Sequence, residues 1–536
     1  MILGIHDGHD AGAVLIDGDK VLAVNEERLN RVKKYRGFPS LSMLEVLKMA
    51  NASPEDIDII AIAGIFRKRK RLLELEANLR ATFGPDFKQK ILFVEHHLAH
   101  AASAYHTSGW REAIALSIDA AGDGLSSSIY LAIDGQMIRI GQSTYLDSLG
   151  DFYASITELL GFKPMHDEGK VMSLAAYGRP TYDLSTIIEL NGMSFDNHLK
   201  ATGTEATRRL SKLLGYPSNQ AEETAAQMKH GRLNGTLQKK AIEIAASAQA
   251  HLEKLLGEFG LELGKKGSRL AYAGGVAQNV KANAVLRKIF GDDNLWVFPA
   301  MDDSGLAFGA AIFVKAQLER LDGKWKPFRL RHTYLGPKYS NEEVETILRR
   351  EGAEFEEVGD VPAFTADSLM DGRFVGFFQG RMEFGPRSLG NRSILADPRD
   401  GKVKDRLNAA LSRDAFQPFS PSMLFERADE YIEDLGGSPN EFMTMSYTAS
   451  EEFRKVAPAV VHIDGSTRPQ AVREKVNPVY YRAIKGFEKR SGLGAVLNTS
   501  FNMHGKPIVC SPKDALETFR RAGLDVLVIG DFVVWS

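Results

Sequence analysis

A chain of 536 residues, 44% hydrophobic and 25% charged, has the composition of a folded globular protein and exceeds one ordinary core, so roughly two to four packed units are expected. Lys plus Arg number 67 against 69 Asp plus Glu, and the net charge of -2 excludes a global basic field of the kind that gathers nucleic acid. The single cysteine, Cys510, excludes an internal disulfide, no apolar run reaches membrane-span length, and MILGIHDGHD lacks the regions of a signal peptide; a cytoplasmic enzyme with no nucleic-acid and no membrane partner is expected.

In chain order, residues 1–31 read as strand, tight loop, strand, turn, strand and helix. Met1 to Ile5 is apolar, Gly8 to Gly12 is a polar loop holding His9 and Asp10, Ala13 to Ile16 is apolar, and Asp17-Gly18-Asp19 is a hairpin turn before Val21 to Val24. The same grammar recurs from Ala113 to Ile140. There Ala115 to Ile118 leads into the acidic glycine loop from Asp119 to Gly124, and Ser128 to Ile133 reaches the turn Asp134-Gly135 before Met137 to Ile140. Two such copies imply a duplicated α/β unit. Between them, His96-His97-Leu98-Ala99-His100 places two imidazoles one helical turn apart on one face, a spacing that suits one metal ion.

Residues 185–237 are polar and less regular and read as a helical insertion with loops. Ala241 to Phe259 carries a helical stripe (Ile242, Ala245, Ala248, Leu252, Leu255, Phe259) that should form core beneath the next glycine site. That site, Leu270 to Asn279, is a buried strand opening into a helix through Gly274-Gly275. Asp303, in Met301-Asp302-Asp303-Ser304-Gly305, is either a helix N-cap or a further ligand completing His96, His100 and Asp119. Past a basic, proline-bearing stretch from Lys324 to Tyr339, the helix Asn341 to Arg350 begins a second domain, with strands at Phe374–Phe377, Ala495–Leu497 and Val526–Ile529.

Paired glycine loops between strands let backbone N–H groups approach phosphate oxygens, as in the actin and sugar-kinase superfamily. His9 and Asp10 form a dyad able to take a proton from a hydroxyl, or Asp10 simply anchors its loop. In the C-terminal half the stretch Arg381 to Ser393 sets three arginines in a glycine- and proline-constrained loop. Arg413, Arg468 and the run Asn498-Thr499-Ser500 can join them only by tertiary folding; such a set would bind an anionic phosphorylated substrate.

On the blocks GHDAGAVLIDG, EERLNRVK, EHHLAHAASAY, SIDAAGDG, DEGKVMSLAAYG, GGVAQNVKAN, GRMEFGPRSLGNRSILADPR, FQPFSPS and LNTSFNMHGKPIVCSP, the chain resembles the NodU/CmcH O-carbamoyltransferase family over nearly its whole length. The resemblance implies an α/β protein with an actin-like ATPase duplicated domain over 1–335, similar to the threonylcarbamoyl transferases, followed by a YrdC-like α/β domain over 345–536. It implies that carbamoyl phosphate and ATP give carbamoyl adenylate in the second domain, and that the carbamoyl group passes internally to a hydroxyl of a small-molecule acceptor in the first. A small-molecule kinase of the same superfamily is the alternative.

Carried over block by block, the metal ligands would be His96, His100, Asp119 and Asp303, for Fe(II) by analogy, with Mn(II) and Zn(II) also admissible and Mg(II) accompanying ATP. The adenylate would lie against Gly122, Asp123, Gly124, Glu168, Lys170, Gly274, Gly275 and Asn279. His9 and Asp10 would sit near the acceptor hydroxyl, while Arg387, Arg413, Arg468, Asn498 and Ser500 would grip carbamoyl phosphate and the ATP phosphates. Gly12, Gln417 and Lys506 depart from the family pattern, Gln417 standing where an arginine is expected in the phosphate grip. The acceptor, the metal and the oligomeric state are left open by the residues, a homodimer being compatible with them.

Overall fold

Alternating apolar residues and tight polar turns at the start of the chain produce an antiparallel ribbon. Strands β1 (Ile2–His6), β2 (Gly12–Asp17) and β3 (Lys20–Asn25) join β4 (Ile59–Ala63) and β5 (Lys90–Val94) in the sheet order β3-β2-β1-β4-β5. Strands β1 and β2 are antiparallel, while β1, β4 and β5 run parallel through helical crossovers. In this computed structural model, which describes residues 1–66 and 69–536, that sheet is repeated. Strands β6 (Glu112–Gly122), β7 (Leu125–Ile133) and β8 (Gln136–Thr144) are followed by a small hairpin, β9 (Ile188–Asn191) and β10 (Ser194–Asn197), then by β11 (Leu270–Ala273) and β12 (Leu295–Val297). The second sheet has the order β12-β11-β6-β7-β8. Reversed, this matches the first strand for strand. The predicted duplication is therefore real, and the architecture is that of an actin-like α/β protein.

Three local expectations change. Strand β6 continues past Asp119 to Gly122, its register irregular between Ile118 and Gly122, so the acidic loop shrinks to Asp123-Gly124. Both residues have positive φ (48° and 85°), the geometry of a tight hairpin turn. Residues 185–237 hold the β9–β10 hairpin as well as the helices Gly203–Leu214 and Ala221–Lys229. The core helix is longer than its stripe, Thr236–Gly264, and all six apolar stripe residues are buried.

Contacts group the chain into two compact units: residues 1–21, 36–330 and 414–417 in one, and 22–35, 331–413 and 418–536 in the other. The second unit contains a mixed eight-stranded sheet and is α/β in class. Its strands are β13 (Phe355–Glu357), β14 (Val375–Phe378), β15 (Arg392–Ala396), β16 (Ser420–Leu424), β19 (Gln470–Val472), β20 (Ala495–Ser500), β21 (Val526–Ile529) and β22 (Phe532–Trp535); a separate ribbon pairs β17 (Tyr447–Thr448) with β18 (Ser466–Thr467). The sheet order is β13-β22-β21-β14-β15-β20-β16-β19, so the arginine-rich loop before β15 and the Asn498–Ser500 end of β20 meet at the same sheet. Among the described residues no helix is long and apolar enough to cross a membrane.

Candidate active site

In the first unit, the helix His96–Tyr105 is almost wholly buried and rich in alanine. The small residues let it approach the helix Leu306–Leu321 closely: a Cβ on Gly309 would stand 1.9 Å from the Ala99 carbonyl oxygen. That contact brings the short helical turn Asp303–Gly305 against the histidines. His100 Nε2 lies 3.2 Å from both Asp119 Oδ2 and Asp303 Oδ1, and His96 Nε2 lies 3.1 Å from Asp119 Oδ2 and 3.7 Å from Asp303 Oδ1. Ligand-capable atoms of all four buried side chains fall within 4.8 Å of one another.

The two aspartates of the Met301–Gly305 segment divide their duties. Asp302 is the N-cap, its carboxylate accepting from the Ser304 N–H at 3.2 Å, and Asp303 is turned toward the imidazoles. Asp119 divides its own two oxygens. Oδ1 accepts from Ala120 N (2.8 Å) and Gly275 N (3.2 Å), which fixes the carboxylate so that Oδ2 faces both histidines. Burial disfavours a charged His100, yet its hydrogen bonds to Asp119 and Asp303 prevail and lift it to about 10. Against the same burial, the neighbouring histidines hold Asp303 near about 2 and Asp119 well below the usual carboxylate range. Two imidazoles and two ionised carboxylates, one of them oriented by backbone N–H groups, suit a divalent transition cation.

His9 joins this cluster. Its Nε2 lies 3.2 Å from Asp303 Oδ2 and its Nδ1 3.1 Å from Asp10 Oδ2, and its side chain is 44% exposed. The Asp303 charge is the main reason that it rises to about 9, so in this geometry His9 carries a proton at neutral pH. Sequence reasoning missed His6, at the end of β1, whose Nε2 is 3.1 Å from the His9 carbonyl and 3.7 Å from Asp303 Oδ2; burial lowers it to about 4.

The glycines adjoin the cluster for steric reasons. A Cβ on Gly122 would come within 2.1 Å of the His96 ring, and one on Gly275 within 2.5 Å of Asp119 Oδ1. Gly124 is covered by the Phe66 ring, and Gly274 packs on Ile118. The polar members of the expected adenylate set have structural partners. The Asp123 carboxylate accepts from the N–H groups of Ile65, Phe66 and His96. Asn279 caps the helix Val280–Phe290 and exchanges hydrogen bonds with Gln249. Glu168 accepts from Met165 N, and Lys170 Nζ pairs with Asp414 (3.0 Å) and Asp167 (3.2 Å).

The second unit brings together arginines separated by long stretches of chain. Arg468 is recessed but not sealed; burial, then the charges of Arg387 and Arg413, hold its pKa well below the ordinary arginine value. Its Nε donates to Ser420 Oγ (3.0 Å), while Arg413 donates to Thr499 Oγ1 (3.1 Å) and lies over the Phe419 ring. Three mutually repelling guanidinium groups in a recess have the charge and donor chemistry that suit a polyanion. Asn498 is buried, its amide donating to Ser422 Oγ (2.9 Å) and the Ser388 carbonyl (3.2 Å), and Ser500 sits opposite Ser393 in the sheet. The loop that carries Arg387 is organised by Glu383, which the sequence did not single out. One Glu383 oxygen accepts from the N–H groups of Leu389, Asn391 and Arg392. Arg392 is wholly buried, bonded to carbonyls and stacked on Phe378, and serves structure.

Comparison with known proteins matches both halves of the chain. A family model described as carbamoyltransferase N-terminus covers residues 1–78 and 66–312, and one described as carbamoyltransferase C-terminus covers 366–536. An uncharacterized protein of Methanocaldococcus jannaschii is 38% identical over 100% of this chain and 99% of its own length. Nodulation protein NolNO of Sinorhizobium fredii is 35% identical over 98% of this chain and 79% of its own length. Among solved structures, full-length HypF in the phosphate- and nucleotide-bound form aligns with 61% of this chain and 47% of its own, at 13% identity and a TM-score of 0.37. With the two family models together matching most of the chain and one relative aligned end to end, the chain belongs to the carbamoyltransferase family and is a carbamoyltransferase.

Proposed function

We propose that this carbamoyltransferase is ATP-dependent and modifies a hydroxyl group of a small-molecule acceptor through carbamoyl adenylate. The observation that carries the reading is the pairing of two chemistries in one chain: a buried His2Asp2 cluster in one unit and a convergent arginine triad in the other. In the second unit, Arg387, Arg413 and Arg468 bind the phosphates of carbamoyl phosphate and ATP. Phosphate leaves carbamoyl phosphate on hydrolysis, and the resulting carbamate oxygen attacks the α-phosphorus of ATP, expelling pyrophosphate. The arginines offset the charge that builds on the departing groups.

In the first unit, the acceptor oxygen bonds to the carbamoyl carbon as the bond to the AMP oxygen breaks. His96, His100, Asp119 and Asp303 would hold a divalent metal, which when bound supplies Lewis-acid neutralisation of the adenylate phosphate. His9 receives the acceptor proton, a role that its contact with Asp303 supports and that requires the Asp303 charge to be offset so that the imidazole starts neutral. Asp10 orients His9 through its Nδ1 contact. The glycines at 122, 274 and 275 let the backbone close on His96, Ile118 and Asp119, beside which the adenylate would lie.

The test is incubation with carbamoyl phosphate, ATP, Mg(II), Fe(II) or Mn(II), and a panel of sugars and natural-product alcohols. The expected result is AMP and pyrophosphate release that depends on carbamoyl phosphate, with a carbamoyl mass increase on one acceptor. ADP as the nucleotide product, with phosphate transferred to the acceptor, would instead establish a kinase.

A further inference from the structure

The N-terminus of the ligand helix is held in an unusual way. The first helical hydrogen bond runs from Ala99 N to the Glu95 carbonyl, leaving the N–H groups of His96, His97 and Leu98 without helical partners. Carboxylates take all three: Asp123 accepts from His96 N at 2.8 Å, and the Glu95 side chain accepts from His97 N at 3.1 Å and Leu98 N at 3.0 Å. Asp, Asn, Ser and Thr make better N-caps than the longer Glu. The extra methylene has a use here, because Glu95 also reaches the sheet that carries Asp119. Tyr130 on β7 donates its hydroxyl to Glu95 Oε2 at 3.0 Å. Arg139, its neighbour across the ladder on β8, donates to the same carboxylate and to the Tyr130 hydroxyl at 2.7 Å. A further strap joins His97 Nδ1 to Ser117 Oγ on β6 at 2.9 Å.

We infer that Tyr130 and Arg139 are positioning residues of the His2Asp2 centre, fixing the register of the ligand helix against β6 through Glu95. The inference rests on the proposed metal-binding role of that cluster. One ligand pair, His96 and His100, comes from the helix, and Asp119 comes from β6; any slide or rotation of the helix separates the two. Asp123 holds the helix at its first amide, and the Glu95–Tyr130–Arg139 array holds the next two. Tyr130 is buried, and burial raises its pKa further above the ordinary tyrosine value, so it remains a donor.

The test uses Co(II) as probe, with affinity read by competition with a chromophoric chelator and geometry by the visible d–d absorption. Tyr130→Phe and Arg139→Gln should each weaken Co(II) binding about 10-fold and alter the d–d envelope. Because both act through one carboxylate, the double variant should lose little more than either single one. Glu95→Asp, a good helix cap too short for the sheet, should show the same weakening. Wild-type Co(II) affinity and spectrum in Tyr130→Phe and Arg139→Gln would overturn the inference, and Arg139, being one-third exposed, can be replaced without unfolding the protein. Failure of the underlying reading looks different: the unmodified protein would then take up Co(II) no better than His100→Ala.

Discussion

Replacing Arg468 with methionine should make the protein more stable and weaken the proposed adenylation chemistry at the same time. The guanidinium is recessed beside Arg387 and Arg413, and its hydrogen bond to Ser420 is a weak return for three like charges. At an effective dielectric near 20, each like-charge neighbour costs on the order of 2 kcal/mol. Part of that is screened by solvent, since all three side chains retain some exposure, and losing the Ser420 bond gives back about 1 kcal/mol. The net expectation is a gain of about 2 kcal/mol, or roughly 4–8 °C in the melting temperature of a unit of this size. Function moves the other way: a charge-assisted hydrogen bond to phosphate is worth about 1.5–3 kcal/mol, so ATP turnover should fall at least ~10-fold to 100-fold. Calorimetry with and without pyrophosphate reads both effects. The original protein should gain stability as pyrophosphate rises above its dissociation constant, by about 2.7 kcal/mol at 100-fold excess, and Arg468→Met should gain little. A variant that melts lower than the original, yet is stabilised by pyrophosphate to the same degree, would refute the idea of an anion site built from clustered like charge.

Asp303→Asn should lose Mn(II) or Fe(II) on dialysis and reduce carbamoyl transfer by about 10³-fold while carbamoyl-phosphate-dependent pyrophosphate release continues; metal content by mass spectrometry and the two half-reactions check this separately. Gly122→Ala places a methyl group on the His96 ring, within 2.1 Å before relaxation, and should weaken metal binding by about 10-fold or more with an unchanged circular dichroism spectrum. Lys170→Met strands the buried Asp414 carboxylate beside Asp167 and should cost about 3 kcal/mol in urea unfolding, with Asp414→Asn in the same chain restoring part of the loss.

Local order was legible in the sequence because it is written in short periods. Alternation of two, broken by Asp-Gly turns, gives the hairpins of both sheets, and the 3.6-residue stripe gives the helix Thr236–Gly264. The i, i+4 histidines likewise had to share a helical face. Where β6 ends was misjudged because an acidic, glycine-bearing stretch reads as loop, whereas pairing with β7 extends the strand to Gly122. Which of Asp302 and Asp303 caps its helix and which faces the imidazoles was undecidable locally, since either carboxylate suits either task. The choice follows from the contact of the helix Leu306–Leu321 with the helix His96–Tyr105, more than 200 residues earlier in the chain. Convergence of Arg387, Arg413 and Arg468 likewise requires the pairing of β15, β20, β16 and β19, a long-range outcome that no sequence window contains. Glu95, Tyr130 and Arg139 each read as ordinary residues of their own elements; they become one device only when a sheet and a helix bury their polar ends together, because a buried charge must find partners wherever the fold supplies them.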